Sequence, residues 1–142
     1  MKKTIGRTDK ATFPELGLKH LPIKIDTGAY TSSIHCTNFK VENGVLYADF
    51  IDEASPKSKP KTVSFSKFNT TKVKSSNGEV QNRFEIKSSI KLFGKVYKIG
   101  LTLADRNKMK NPVLIGRKFL TKKFIVDTEL EDLSYKAEQH EH

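Results

Sequence analysis

Hydrophobic and polar residues alternate along most of this chain in short runs, the period expected of half-buried strands. The pattern predicts strands over Leu21–Ile25, Val45–Ile51, Thr62–Phe65, Phe84–Ile86, Ser89–Phe93, Val96–Leu103, Val113–Ile115 and Phe124–Val126, all rich in β-branched or aromatic side chains. Turn residues separate them: Asn43-Gly44 and Asn77-Gly78 favour positive φ, and Gly94-Lys95 joins two alternating runs as a hairpin. Many short strands at this spacing describe an all-β small barrel or sandwich rather than alternating βαβ units. One brief segment, Arg117–Lys122 directly after Gly116, reads as helical. Glu53 to Lys61, with Pro56 and Pro60, reads as an exposed loop. From Glu129 onward the chain turns polar and is expected to fray. The domain is therefore placed at residues 1–128, followed by a polar tail at 129–142.

Composition narrows the class. A chain of 142 residues supports one hydrophobic core, and 30% charged against 36% hydrophobic residues describes a heavily solvated surface. No run of about 18 apolar residues is present, and Met1 to Arg7 lacks the apolar stretch of a secretory signal, so a cytoplasmic location without a membrane partner is expected. The lone Cys36 agrees with a reducing compartment. The net charge of +10 predicts attraction to something negative. Among the basic residues only Arg7, Arg83, Arg106 and Arg117 carry a guanidinium, which can hold a carboxylate through two parallel hydrogen bonds.

The chemistry concentrates at Asp26-Thr27-Gly28-Ala29, where an apolar strand ends in an aspartate on a tight turn. Glycine lets the backbone close under the carboxylate, while backbone amides and the neighbouring hydroxyl can fix its oxygens. Two such carboxylates about 3 Å apart, sharing one proton, activate water as base and polarise a substrate carbonyl as acid. This chain carries one clear copy. About ninety residues later comes a second apolar strand broken by glycine, Val113-Leu114-Ile115-Gly116-Arg117.

These two segments and the short helix after them resemble the retropepsin fold. More closely, Lys24 to His35, Leu101 to Arg106 and Met109 to Arg117 resemble a bacterial retropepsin-like family also called ATP-dependent zinc proteases, over nearly the whole span from Ile5 to Asp127. The resemblance implies a closed β-barrel and a peptidase site at Asp26. It also implies a substrate class: members of that family are linked with ATP-grasp enzymes that append glutamates to ribosomal protein, and include peptidases thought to trim such tails. The expected activity is hydrolysis of an acidic, glutamate-rich peptide or tail by water activated at Asp26, with Thr27, Gly28 and Ala29 shaping the turn. Arg83, Arg106 and Arg117 are expected to hold substrate carboxylates, with Ser32, Ser33 and His35 facing the site. The second acid comes either from a second subunit, making a homodimer, or from Asp105. The competing reading is a non-catalytic adaptor that recognises acidic tails or nucleic acid. No RNA-binding signature supports the nucleic-acid version.

Two departures qualify the resemblance. Retroviral enzymes carry an aspartate directly after Asp-Thr-Gly-Ala that pairs with the arginine of the Gly-Arg strand; here Tyr30 occupies that position, so Arg117 must find another partner among Asp105, Asp127, carbonyls, solvent or substrate. No cofactor is expected. The chain has neither a phosphate-cradling Gly-x-x-x-x-Gly-Lys-Ser/Thr segment nor a His-Glu-x-x-His helix. The zinc donors on offer are His20, His35, Cys36, His140 and His142, and adjacent His35 and Cys36 on a strand point to opposite faces.

Overall fold

In the computed structural model, residues 2–51, 59–74, 77–105 and 111–140 are described. The strands in chain order are β1 (Lys3–Ile5), β2 (Thr8–Phe13), β3 (Leu18–Ile25), β4 (Ser32–His35), β5 (Thr37–Glu42), β6 (Val45–Phe50), β7 (Lys61–Phe65), β8 (Asn69–Lys74), β9 (Val80–Leu92), β10 (Lys95–Ala104), β11 (Val113–Ile115) and β12 (Phe124–Val126). Two helices follow late in the chain, α1 (Arg117–Leu120) and α2 (Leu133–Gln139).

Six strands close a ring in the order β10-β4-β11-β3-β2-β9, and β9 returns to β10 through a tight hairpin. This is the closed, mostly β barrel with a short helix after the Gly-Arg strand that the sequence predicts. Closure leaves the ring without an open edge. Phe93 (φ 53°) and Gly94 (φ 75°) form the hairpin turn, the left-handed pair that matches strand twist. β8 extends the ring beside β9, β5-β6-β7 form a separate three-stranded sheet, and β1 lies parallel to β12. Alternation along β2, β6 and the second half of β9 drives Phe13, Leu46, Phe50, Ile86, Ile90 and Leu92 into the core. Leu21, Ile23, Ile34 and Leu101 meet them from β3, β4 and β10 of the ring.

The end of the chain departs from expectation. It does not fray after Glu129, because α2 is pinned by a carboxylate far away in sequence. Asp9, buried on β2, accepts the Ser134 amide at 2.9 Å through Oδ2 and the Tyr135 amide at 3.0 Å through Oδ1. These are amides of the first turn of α2, which an N-cap side chain ordinarily satisfies. The Ser134 hydroxyl in turn accepts the Phe93 amide at 2.8 Å, and Glu138 accepts that of Gly94 at 3.1 Å. A helix made mostly of polar residues thus locks β2 to the β9–β10 turn. The proline-containing loop before Lys61 falls largely outside the described residues.

Candidate active site

The short β11 sits between β3 and β4, parallel to the first and antiparallel to the second. That insertion builds the turn at Asp26. The Asp26 amide donates to the Ile115 carbonyl at 2.9 Å, so the aspartate leaves β3 as its pairing with β11 ends. The chain then folds back: the Ala29 amide donates to the Asp26 carbonyl at 3.2 Å, and the Gly28 amide to Asp26 Oδ1 at 3.0 Å. A Cβ on Gly28 would stand 3.3 Å from Oδ1, tighter than ordinary contact, which is why glycine suits this position. Among the described residues Oδ2 accepts no hydrogen bond, leaving it available to water or substrate.

The turn is stapled to α1. The first two amides of that helix, Arg117 and Lys118, donate to the carbonyls of Ala29 and Tyr30 at 2.8 and 2.9 Å. Gly116 lies directly under the turn, where a Cβ would meet the Thr31 carbonyl oxygen at 2.6 Å. Ser32 completes the support. Its hydroxyl accepts the Gly116 amide at 3.0 Å, and its carbonyl accepts the Thr102 hydroxyl at 3.2 Å. Thr27, Gly28 and Tyr30 are exposed at the tip.

The residues expected around Asp26 are dispersed more than the sequence suggests. Arg117 is at the turn, but neither Asp105 nor Asp127 is its partner: the guanidinium donates to the Thr27 carbonyl at 3.1 Å and lies 5.7 Å from the Tyr30 ring centre. Ser32 and Ser33 are buried in β4, where the Ser32 hydroxyl supports the Gly116 amide at the end of β11. His35 lies three positions beyond Ser32, about 10 Å along the strand, and is buried with Nδ1 3.7 Å from the Asp105 carboxylate. Asp105 follows the end of β10 at that level, so strand geometry holds it well beyond the 3 Å separation a second acid requires. Arg83 belongs to the β8–β9 hairpin, opposite Thr71, and donates to Gln81 at 3.2 Å. Arg106 lies outside the described residues. Asn77-Gly78 does form a turn of that hairpin, with Gly78 at φ 87°.

A zinc site is not supported by the described residues. Cys36 is buried and His35 faces Asp105. Among the described residues no three His, Cys, Asp or Glu side chains are placed to hold a metal ion.

Comparison with known proteins agrees with this architecture. A family model described as the retropepsin-like aspartic endopeptidase RimB matches residues 4–137. The chain belongs to this RimB-like family. The match runs through α2, the segment the sequence pattern assigned to a tail. Probable alpha-L-glutamate ligases of Desulfotalea psychrophila and Shewanella halifaxensis are 33% and 36% identical to it over 138 and 133 residues, 92% and 89% of this chain. The chain spans only 29% and 28% of their lengths. The crystal structure of a Legionella pneumophila protein of unknown function superposes with a TM-score of 0.73 at 25% identity, covering 94% of this chain and 99% of that one.

Proposed function

We propose that this protein is a cytoplasmic aspartic peptidase that hydrolyses glutamate-rich peptides or tails. The carrying observation is the Asp26 turn itself: one carboxylate oxygen is fixed by the Gly28 amide, and the other remains open to water. Asp26 would act as base toward that water while a second carboxylic acid polarises the scissile carbonyl. With Asp105 held beside His35, the second acid in this reading is Asp26 of a second copy. The exposure of Thr27, Gly28 and Tyr30 at the tip favours such pairing. Family membership supports peptidase chemistry, and the ligase names of the longer relatives support glutamate as the residue concerned. The net charge of +10 suits an acidic substrate.

Incubating the purified protein with an α-linked oligoglutamate, beside its Asp26→Asn variant, tests this by mass spectrometry with and without chelator. Glutamate release that requires Asp26 and survives chelator is expected. Release by Asp26→Asn would remove the aspartate mechanism, and loss with chelator would restore zinc. The second reading, a non-catalytic domain that binds acidic tails, is favoured by the single carboxylate at the turn; it predicts binding of the same peptide without release from either protein.

A further inference from the structure

A concave surface begins where the Asp26 turn ends. It starts at Thr31 and Ser32, passes Lys118 of α1, and continues over the β9–β10 hairpin, enclosing about 880 Å³. Such a volume is in the range of ligand-binding clefts. Its lining has two chemistries. Val96, Tyr97, Ile99 and Phe119 supply apolar surface, with Val96 exposed and Tyr97 and Phe119 in edge-to-face contact at 5.8 Å. Lys87, Lys98, Lys118 and Lys123 supply positive charge, against Glu15 and Glu85. Lys123 is already tethered to the Phe119 carbonyl at 3.0 Å.

We infer that this cleft is a docking site for an extended protein segment that mixes acidic and apolar side chains. Four lysines against two glutamates favour carboxylates, and the aromatic and aliphatic surface between them needs apolar side chains to cover it. A segment of pure glutamate would leave Tyr97, Val96 and Phe119 uncovered. This site differs from the Asp26 turn in residues and chemistry, and it stands whether or not Asp26 hydrolyses anything. Its edge at Thr31 and Lys118 means that a chain seated here continues toward the turn.

Fluorescence anisotropy on the full chain with a labelled peptide of Glu-Glu-Leu repeats tests the site. Lys98→Glu with Lys118→Glu is expected to weaken binding at least about tenfold, whereas Lys72→Glu with Lys74→Glu on β8, the same change in net charge, should leave it nearly unaltered. Asp26→Asn should bind as the parent does, which separates this site from the peptidase reading. Equal weakening by the β8 pair would reduce the effect to diffuse charge and overturn the proposal. So would an oligoglutamate or an RNA of equal length binding as tightly as the mixed peptide.

Discussion

Arg117 links the backbone of the Asp26 turn to the Tyr30 ring: the guanidinium donates to the Thr27 carbonyl at 3.1 Å and stands 5.7 Å from the ring centre. An aromatic face and a carbonyl thereby replace a carboxylate as the partners of this cation. Arg117→Ala is expected to lower the rate of glutamate release about tenfold or more, because the turn loses its tether. It should cost only about 1 kcal/mol of stability. A double-mutant cycle with Tyr30→Leu and Arg117→Gln, followed by denaturant unfolding, should show a coupling of about 0.5–1 kcal/mol. Additive losses would mean that the ring and the cation do not interact.

Gly116 should tolerate no side chain. A Cβ there would meet backbone at 2.6 Å from Thr31 and 2.7 Å from Tyr30, and neither carbonyl can retreat without breaking its neighbours' hydrogen bonds. Gly116→Ala is expected to destabilise the protein by about 2 kcal/mol or more. Since the displaced backbone belongs to the Asp26 turn, the proposed release of glutamate should fall with it. A variant as stable as the parent in urea would contradict this packing.

Asp9 is expected to be the latch of α2. Asp9→Ala removes the acceptor of two α2 amides and should cost about 1–3 kcal/mol, with loss of helical circular dichroism and faster hydrogen exchange at Ser134 and Tyr135. The carboxyl itself is held above its ordinary range by burial, although the amides of Ser134, Lys10 and Tyr135 pull the other way. The native state therefore keeps this proton to higher pH than the unfolded chain does. The associated stabilisation is full below about 3.8 and is lost as pH rises through the native value. Asp9→Asn should flatten that part of the stability profile.

Cys36 predicts a second pH effect at the alkaline end. Burial is the main cause of its rise from 9.0 to about 12, with the charges of Asp105 and Asp49 adding to it, so the unfolded chain loses this proton first. Stability from this group is complete below pH 9 and declines as pH climbs toward 12. The readout is the difference between the parent and Cys36→Ala in urea midpoint across that window. The thiol should also resist alkylation at neutral pH until the protein unfolds; rapid labelling of the native protein would be evidence against its burial.

What was legible in the sequence follows from how each strand is covered. β6, β10 and the later part of β9 alternate because one face meets the core and the other meets water, and the pattern marks them. β2 was hidden because an inward position is Asp9, a buried charge retained to hold α2. β4 was hidden because all four of its residues, including Ser32, Ser33 and His35, are buried, leaving no alternation to see. β5 and β8 are polar and exposed over most of their length, so neighbours rather than composition make them strands. α2 owes its order to contacts across the molecule, which no local pattern encodes. The Asp26 turn was readable because its chemistry is local: glycine two residues after the carboxylate, with an apolar strand before it. The fates of Asp105 and His35 depend on β4–β10 register, and register is a property of pairing between distant segments.

β11 has three residues and two neighbours, β3 and β4, that precede it by roughly eighty or ninety positions. A chain synthesised only as far as β10 contains Asp26 but lacks the Ile115 carbonyl, the Gly116 support and the Arg117 tether that give the turn its shape. Pairings between such distant segments are slow to form. In pulse-labelled refolding, protection of the Asp26 and Gly116 amides should therefore trail that of the β9–β10 hairpin, and earlier protection would refute the order. A nascent chain of this design keeps its carboxylate loop unformed until its last barrel strand slides home.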